Sequence, residues 1–176
     1  MAKALVVVDM QNDFVYGVLG TKEAQEILPR LVKKVEQVVL DKAADIIFTQ
    51  DTHAENYLET QEGKNLPVVH CVKKTEGWEI VPELAKFTQY AKAVVEKKAF
   101  GSTRLPSLLK PYEEVEFVGV CTDICVISNA LLLKAFYPEQ VVSVDAACCA
   151  GVTPESHLNA LNAMKMCQCK IYNAGD

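Results

Sequence analysis

The chain has 176 residues, of which 50% are hydrophobic and 23% are charged, and its net charge is −5. This length and apolar content suffice for one hydrophobic core, so we predict a single domain over residues 1–176. The acidic balance argues against a nucleic-acid-binding surface, and no apolar run approaches the roughly 20 residues that cross a bilayer.

Buried apolar runs alternate with segments of helical spacing along the chain. The predicted strands are residues 4–8, 45–48, 93–95, 115–120, 141–144 and 170–172. The predicted helices are residues 27–39, 81–86, 105–110, 122–136 and 154–166. Residues 52–79 lack periodicity, and a loop of that length in a compact domain is usually functional. This alternation predicts an α/β fold in which helices cover both faces of a parallel sheet.

Seven cysteines are the unusual feature of the composition. The first residues do not resemble an export signal, so we expect a cytoplasmic protein whose thiols stay reduced. The odd number also argues against a disulfide framework. Either all seven are small packing residues, or at least one takes part in chemistry.

Chemically useful side chains follow the first four predicted strands. They are Asp9, Asp51, the pair Lys97 and Lys98, and a cysteine in residues 119–125. Ligands of open parallel sheets bind at the carboxyl ends of the strands, where these groups would meet. Each residue alone is weak evidence, because strand-end aspartates often cap turns and lysines are usually solvated. Together, a carboxylate, a lysine and a cysteine favour nucleophilic catalysis.

Cys125 is one candidate nucleophile, since it falls near the start of the helix predicted at residues 122–136. Backbone amides and the helix dipole there favour a thiolate and can bind an oxyanion. Cys121 is the alternative, although it lies nearer the strand. By position alone a packing role for Cys125 is somewhat more expected, and a neighbouring carboxylate and lysine would reverse that judgement.

The aperiodic segment contains the residue types of a metal site. Asp51, His53 and His70 supply a carboxylate and two imidazoles, and Glu62 between them could be a fourth ligand. Such a set suits Zn²⁺, Fe²⁺ or Mn²⁺. We therefore predict a divalent metal site, with zinc as the favoured ion.

Three motifs resemble the isochorismatase-like cysteine hydrolases, and among them the nicotinamidases. They are VVDMQNDF at residues 7–14, DTHAEN at 51–56 with HCVKKTEG at 70–77, and VGVCTDICV at 118–126. The motifs occur in the family's order and span most of the chain. The resemblance implies a three-layer α/β/α fold with a six-stranded parallel sheet.

The same resemblance implies roles for individual residues. Asp9 transfers protons, Cys125 is the nucleophile, and Lys97, rather than Lys98, lies between them. The amides of Cys121 and Cys125 form the oxyanion hole, and a cis peptide precedes Cys121.

The resemblance also implies how the substrate is held. Phe14 packs on the substrate ring, and the metal at Asp51, His53 and His70 holds a pyridine nitrogen. Pro67 stands where many nicotinamidases have Trp, so the pocket is expected to differ from theirs.

The expected function is hydrolysis of nicotinamide to nicotinate and ammonia through a cysteine thioester. One alternative is a related hydrolase of another small amide or carbamoyl compound. A second is a non-catalytic binding or redox module. We expect a small-molecule amide as partner, neither nucleic acid nor membrane, and a homo-oligomer, as is frequent in this family.

Overall fold

Six runs rich in valine, isoleucine and other apolar residues pair side by side into one parallel sheet. The computed structural model describes residues 2–175. Its strands are β1 Lys3–Val8, β2 Asp45–Asp51, β3 Ala93–Lys97, β4 Glu114–Val120, β5 Val141–Ala150 and β6 Lys170–Tyr172. Their order in the sheet is β3-β2-β1-β4-β5-β6, and all five neighbouring pairs are parallel. The predicted six-stranded parallel sheet is confirmed.

The connections between the strands are largely helical. The α-helices are α1 Asn12–Val15, α2 Lys22–Asp41, α3 Gln61–Asn65, α4 Pro82–Ala85, α5 Leu105–Leu109, α6 Ile127–Phe136 and α7 Pro154–Met166. A π-helical turn, Thr122–Val126, precedes α6, and short 3₁₀ turns occupy Tyr57–Glu59, Glu76–Trp78 and Thr88–Tyr90. Within residues 2–175 no helix has the length and apolar character to cross a membrane.

Two hydrophobic layers hold the helices to the sheet. The alternation along β1 sends Leu5 and Val7 to one face and Val6 and Val8 to the other. The first face packs against α2 and α4, and the second packs against α5, α6 and α7. Helices therefore cover both faces of the sheet, as expected for parallel strands.

Gly119 permits a close approach of β1 and β4 at their carboxyl ends. It pairs in register with Val8, and a Cβ atom built on it would overlap the carbonyl oxygen of Val8. Its φ of +113° also suits glycine. This approach brings Asp9, the next residue after β1, beside the segment that begins at Cys121.

Candidate active site

Four neighbouring strands deliver the predicted catalytic residues and one predicted metal ligand, Asp51, to one edge of the sheet. Asp9 directly follows β1, Asp51 ends β2, Lys97 ends β3, and Cys125 lies in the π-helical turn after β4. Because β3, β2, β1 and β4 are adjacent and parallel, residues distant in sequence meet there.

Lys97 lies at the centre of this group. Its Nζ is 2.6 Å from Asp9 Oδ2, 3.4 Å from Asp51 Oδ1 and 3.3 Å from Cys125 Sγ. Burial lowers the pKa of Lys97, but the charges of Asp9, Cys125 and Asp51 outweigh burial and raise it. The side chain is therefore a buried ammonium between acidic groups. Lys98, by contrast, is exposed.

Asp9 is fully buried and has few partners for its charge. Thr49 Oγ1 donates a hydrogen bond of 2.6 Å to Asp9 Oδ1, and Lys97 faces Oδ2. Burial and the charge of Asp51 raise the pKa of Asp9, and together they outweigh Lys97 and Thr49, which lower it. The carboxylate is consequently a stronger base than an exposed aspartate.

Cys125 is a buried thiol in its resting state. Burial raises its pKa well above the ordinary value, the charge of Asp9 raises it further, and Lys97 opposes this shift. The expectation that the helix terminus favours a resting thiolate is wrong, because that turn is removed from water and Asp9 lies beside the sulfur. A thiolate must form here by transfer of the proton to a base, and Asp9 is the group in place.

Cys121, the alternative nucleophile, has a different setting. The peptide between Val120 and Cys121 is cis, as the resemblance implies. The Cys121 carbonyl accepts hydrogen bonds from the amides of Ile124 and Val126, which closes the π-helical turn. Burial raises the pKa of the Cys121 thiol to about 12. The ammonium of Lys97 contacts the sulfur of Cys125 instead.

The four predicted metal ligands form a cluster beside Lys97. One ligand atom from each of Asp51, His53, Glu62 and His70 lies within 4.8 Å of the others. His53 Nε2 is 2.8 Å from Asp51 Oδ2 and 3.6 Å from Glu62 Oε1. Burial raises the pKa of Asp51, but hydrogen bonds from both histidines and the charge of Lys97 outweigh burial and lower it. Asp51 is therefore held ionised, as a metal ligand must be.

His70 is oriented for coordination by its backbone surroundings. Its Nδ1 lies 2.7 Å from the carbonyl oxygen of Val68, which can only accept, so Nδ1 carries the proton. Nε2, which faces Asp51 and Glu62 at 3.5 and 3.8 Å, is therefore the nitrogen that can bind a metal once it has lost its proton. Two imidazoles and two carboxylates at this spacing fit a divalent transition metal.

Two residues of the first motif, to which the sequence assigned no role, hold these groups in place. Gln11 Nε2 donates to the carbonyl of Asp51, and Gln11 Oε1 accepts from the Asp51 amide, both at 2.8 Å. Asp13 Oδ2 accepts a 2.8 Å hydrogen bond from the amide of Cys71, the residue after His70. The sequence contained a signal for these contacts, because polar residues that follow a buried strand seldom lack hydrogen-bond partners.

Cys125 and three of the four candidate metal ligands, Asp51, Glu62 and His70, line one cavity of about 260 Å³. It is lined by Phe14, Leu19, Thr21, Asp51, Glu62, Leu66, His70, Phe100, Cys121, Ile124, Cys125 and Val152. The ring of Phe14 meets that of His70 edge to face at 5.5 Å. Pro67 is exposed and outside this lining, so its neighbour Leu66 shapes the pocket instead.

Comparisons with known proteins indicate one family. A family model described as the isochorismatase domain matches residues 3–174. The pyrazinamidase of Pyrococcus horikoshii, solved in complex with zinc, is 30% identical with a TM-score of 0.83. That alignment covers 97% of this chain and 98% of the other.

Two curated relatives have names that refer to nicotinamidase, and one of these names describes an inactive protein. The nicotinamidase of Schizosaccharomyces pombe is 27% identical, covering 98% of this chain and 94% of that protein. An Arabidopsis thaliana protein whose name describes it as an inactive nicotinamidase is 30% identical, covering 92% of this chain and 87% of that protein. Similarity at this level therefore does not by itself establish the substrate.

Proposed function

Because the chain belongs to the isochorismatase family, we propose that it hydrolyses nicotinamide to nicotinate and ammonia. The resemblance inferred from its three motifs is confirmed by the family match. The observation that carries the proposal is the buried Lys97 ammonium, which lies within 3.3 Å of both Asp9 and Cys125, the latter a residue of the cavity lining.

The catalytic cycle begins with a proton transfer. Asp9, whose pKa is raised by burial, accepts the thiol proton of Cys125 as the sulfur attacks the amide carbonyl. The ammonium of Lys97 stabilises the thiolate, and the amides of Cys121 and Cys125 receive the negative charge that develops on the carbonyl oxygen. Asp9 then protonates the amide nitrogen, the C–N bond breaks, and ammonia leaves a thioester on Cys125.

Hydrolysis of the thioester restores the enzyme. Asp9, now ionised again, removes a proton from a water molecule that attacks the thioester carbonyl. The C–S bond breaks, the proton returns from Asp9 to the sulfur of Cys125, and the product leaves as nicotinate after its carboxyl group has released the second water proton to solvent. Lys97 stays protonated throughout and balances the negative charge as it moves between Asp9 and the sulfur.

The divalent metal would be held beside the reacting groups by Asp51, His53, His70 and Glu62. We propose zinc as this ion. When bound, such an ion supplies a Lewis-acid contact for the lone pair of a pyridine nitrogen. The aromatic face of Phe14 lies next to His70, where it can pack on the substrate ring.

The direct test is product analysis on purified, zinc-loaded protein. Incubation with nicotinamide should release nicotinate and ammonia in equal amounts, measured by chromatography and a coupled ammonia assay. A protein with full metal occupancy that forms neither product would overturn the proposal.

Removal of the metal is expected to raise KM for nicotinamide more than it lowers kcat, because the metal would orient the ring rather than activate the sulfur. Dialysis against a chelator, followed by return of Zn²⁺, Mn²⁺ or Fe²⁺, measures this effect. His70→Ala should lose bound metal by elemental analysis. His157→Ala is the matched control for metal content, because His157 bonds to Thr122 outside the cluster. Equal metal content in both variants would contradict the proposed ligand set.

Asp9 must be ionised to act as the base, and burial raises its pKa above the ordinary value of 3.8. The acidic limb of the pH profile of kcat/KM should therefore lie above pH 3.8. Thr49→Val removes the hydroxyl that donates to Asp9 and stabilises its charge. Losing this donor raises the pKa of Asp9, so the limb should move to higher pH, by up to about one unit. Thr49→Ser keeps a hydroxyl and should keep the wild-type profile. A limb that does not move in Thr49→Val would argue against Asp9 as the base.

A further inference from the structure

The lining of the active-site cavity combines two kinds of side chain. Cys125 and the metal-site residues Asp51, Glu62 and His70 supply the reactive and charged groups. Apolar side chains, those of Leu19, Leu66, Phe100, Ile124 and Val152, form much of the remainder. Within residues 2–175, the charged side chains that line this cavity all belong to the metal cluster. The apolar part of the lining therefore offers no ionic partner to a substrate.

Three of these apolar side chains are also exposed at the cavity. Leu66 is 40% exposed, Phe100 46% and Val152 49%. Single exposed apolar residues are common on protein surfaces. Here, however, one follows α3, one follows β3 and one follows β5, and all three border the same cavity. Convergence of separate loops on one apolar rim is typical of a binding surface.

The hydroxyl in this lining belongs to Thr21, whose oxygen is held at the start of α2. The hydroxyl of Thr21 accepts the amide hydrogen of Ala24 at 3.0 Å as the cap of α2. The carboxylates of Asp51 and Glu62 would repel an anionic substituent in the same cavity. A polar group placed at the rim would lose water without gaining a strong partner.

We propose that this enzyme prefers aromatic primary amides that carry an apolar substituent, and that Leu66, Phe100 and Val152 bind the substituent. The inference rests on the proposed function. A nicotinamide ring held by its nitrogen at the metal and by its carboxamide at Cys125 has position 5 directed away from both groups. Alkyl groups at that position meet the apolar rim.

The expected effect follows from apolar burial. Each methylene group that leaves water adds up to about fourfold to kcat/KM. The probes are nicotinamide and its 5-methyl, 5-ethyl and 5-propyl derivatives. A further probe, 5-(hydroxymethyl)nicotinamide, matches the 5-ethyl compound in size but places a hydroxyl at the rim. We expect it to react at least about fivefold more slowly than the 5-ethyl compound.

Leu66→Asn tests the assignment of the rim. The substitution changes a side chain that is 40% exposed, and the backbone bonds of Leu66 to Glu62 and Tyr57 do not require the leucine side chain. We expect the gain per methylene to fall below about twofold, with each rate taken relative to the nicotinamide rate of the same variant. Leu58→Asn is the matched control, because Leu58 is 52% exposed and outside the cavity lining.

The outcomes separate this inference from the proposed function. Turnover of nicotinamide with rates that stay flat or fall along the alkyl series overturns the apolar preference and leaves the amidase proposal standing. Absence of turnover for every amide overturns both. A rising series that is unchanged in Leu66→Asn and in Phe100→Asn overturns the assignment to the rim.

Discussion

The Cys125→Ala variant is expected to lose nicotinamide hydrolysis by roughly 10⁴-fold or more, because no other sulfur contacts Lys97 among the described residues. Without the sulfur no thioester forms, and a water molecule would have to attack the amide directly. Single-turnover ammonia release measures the effect, and mass spectrometry of the wild type, quenched during turnover, should detect the acyl adduct on Cys125.

Cys167→Ala provides the control for this substitution. Cys167 is exposed at the end of α7, so the same change of residue type should leave the activity and the fold unaltered. Comparable activity of Cys125→Ala and Cys167→Ala would refute nucleophilic catalysis by Cys125. If Cys121→Ala loses activity while Cys125→Ala keeps it, the nucleophile is Cys121.

Lys97→Met should reduce kcat/KM by about 10²-fold or more and destabilise the protein by about 3–5 kcal/mol. The substitution keeps most of the side-chain volume but leaves Asp9 and Asp51 without their shared cation. Asp9 can avoid an unpaired buried charge by taking up a proton, since loss of Lys97 raises its pKa further.

Because Asp9 can take up a proton, the loss of stability in Lys97→Met should depend on pH. A carboxyl group whose pKa is raised in the folded state stabilises the fold below its unfolded pKa, and this stability is lost as the pH rises through the folded pKa. The stability difference between wild type and Lys97→Met should therefore shrink as the pH falls toward about 4. Chemical denaturation at several pH values measures it.

Lys98→Met is the matched control, since Lys98 is the adjacent residue, has the same side chain and is exposed. We expect wild-type kcat/KM and stability in this variant. A loss confined to Lys98→Met would show that the exposed lysine, and not the buried one, completes the catalytic group.

Sequence patterns predicted the sheet and the residues at its edge because both depend on local signals. A run such as residues 4–8 is apolar and β-branched, and the residue after it lies at the sheet edge in any open parallel fold. The short helices α1 and α3 escaped prediction, whereas the equally short α4 and α5 were predicted. The first turns of α4 and α5 contain proline, a helix-start signal that α1 and α3 lack. Strand β5 extends to Ala150, past the predicted residue 144, through pairing of Cys149 and Ala150 with β4.

The protonation state of Cys125 could not be predicted from the local sequence, because it depends on residues that are distant in the chain. Its position near a helix start indicates a lowered pKa. The actual direction depends on burial and on Asp9, a residue 116 positions away in the sequence (125 minus 9). The hydrogen bonds of Gln11 likewise form only when the residue after β1 meets the end of β2, and that of Asp13 forms only when Cys71 packs beside it.

The order of the strands has a consequence for folding during synthesis. β1 is synthesised before β2 to β6, yet it lies between β2 and β4, so its neighbour on one side is still missing when residue 97 leaves the ribosome. At that stage β4 and the turn after it do not yet cover Asp9 and Lys97. The nascent chain therefore acquires the sulfur of Cys125 after Asp9, Lys97 and β4, the strand that shields these two charges from water.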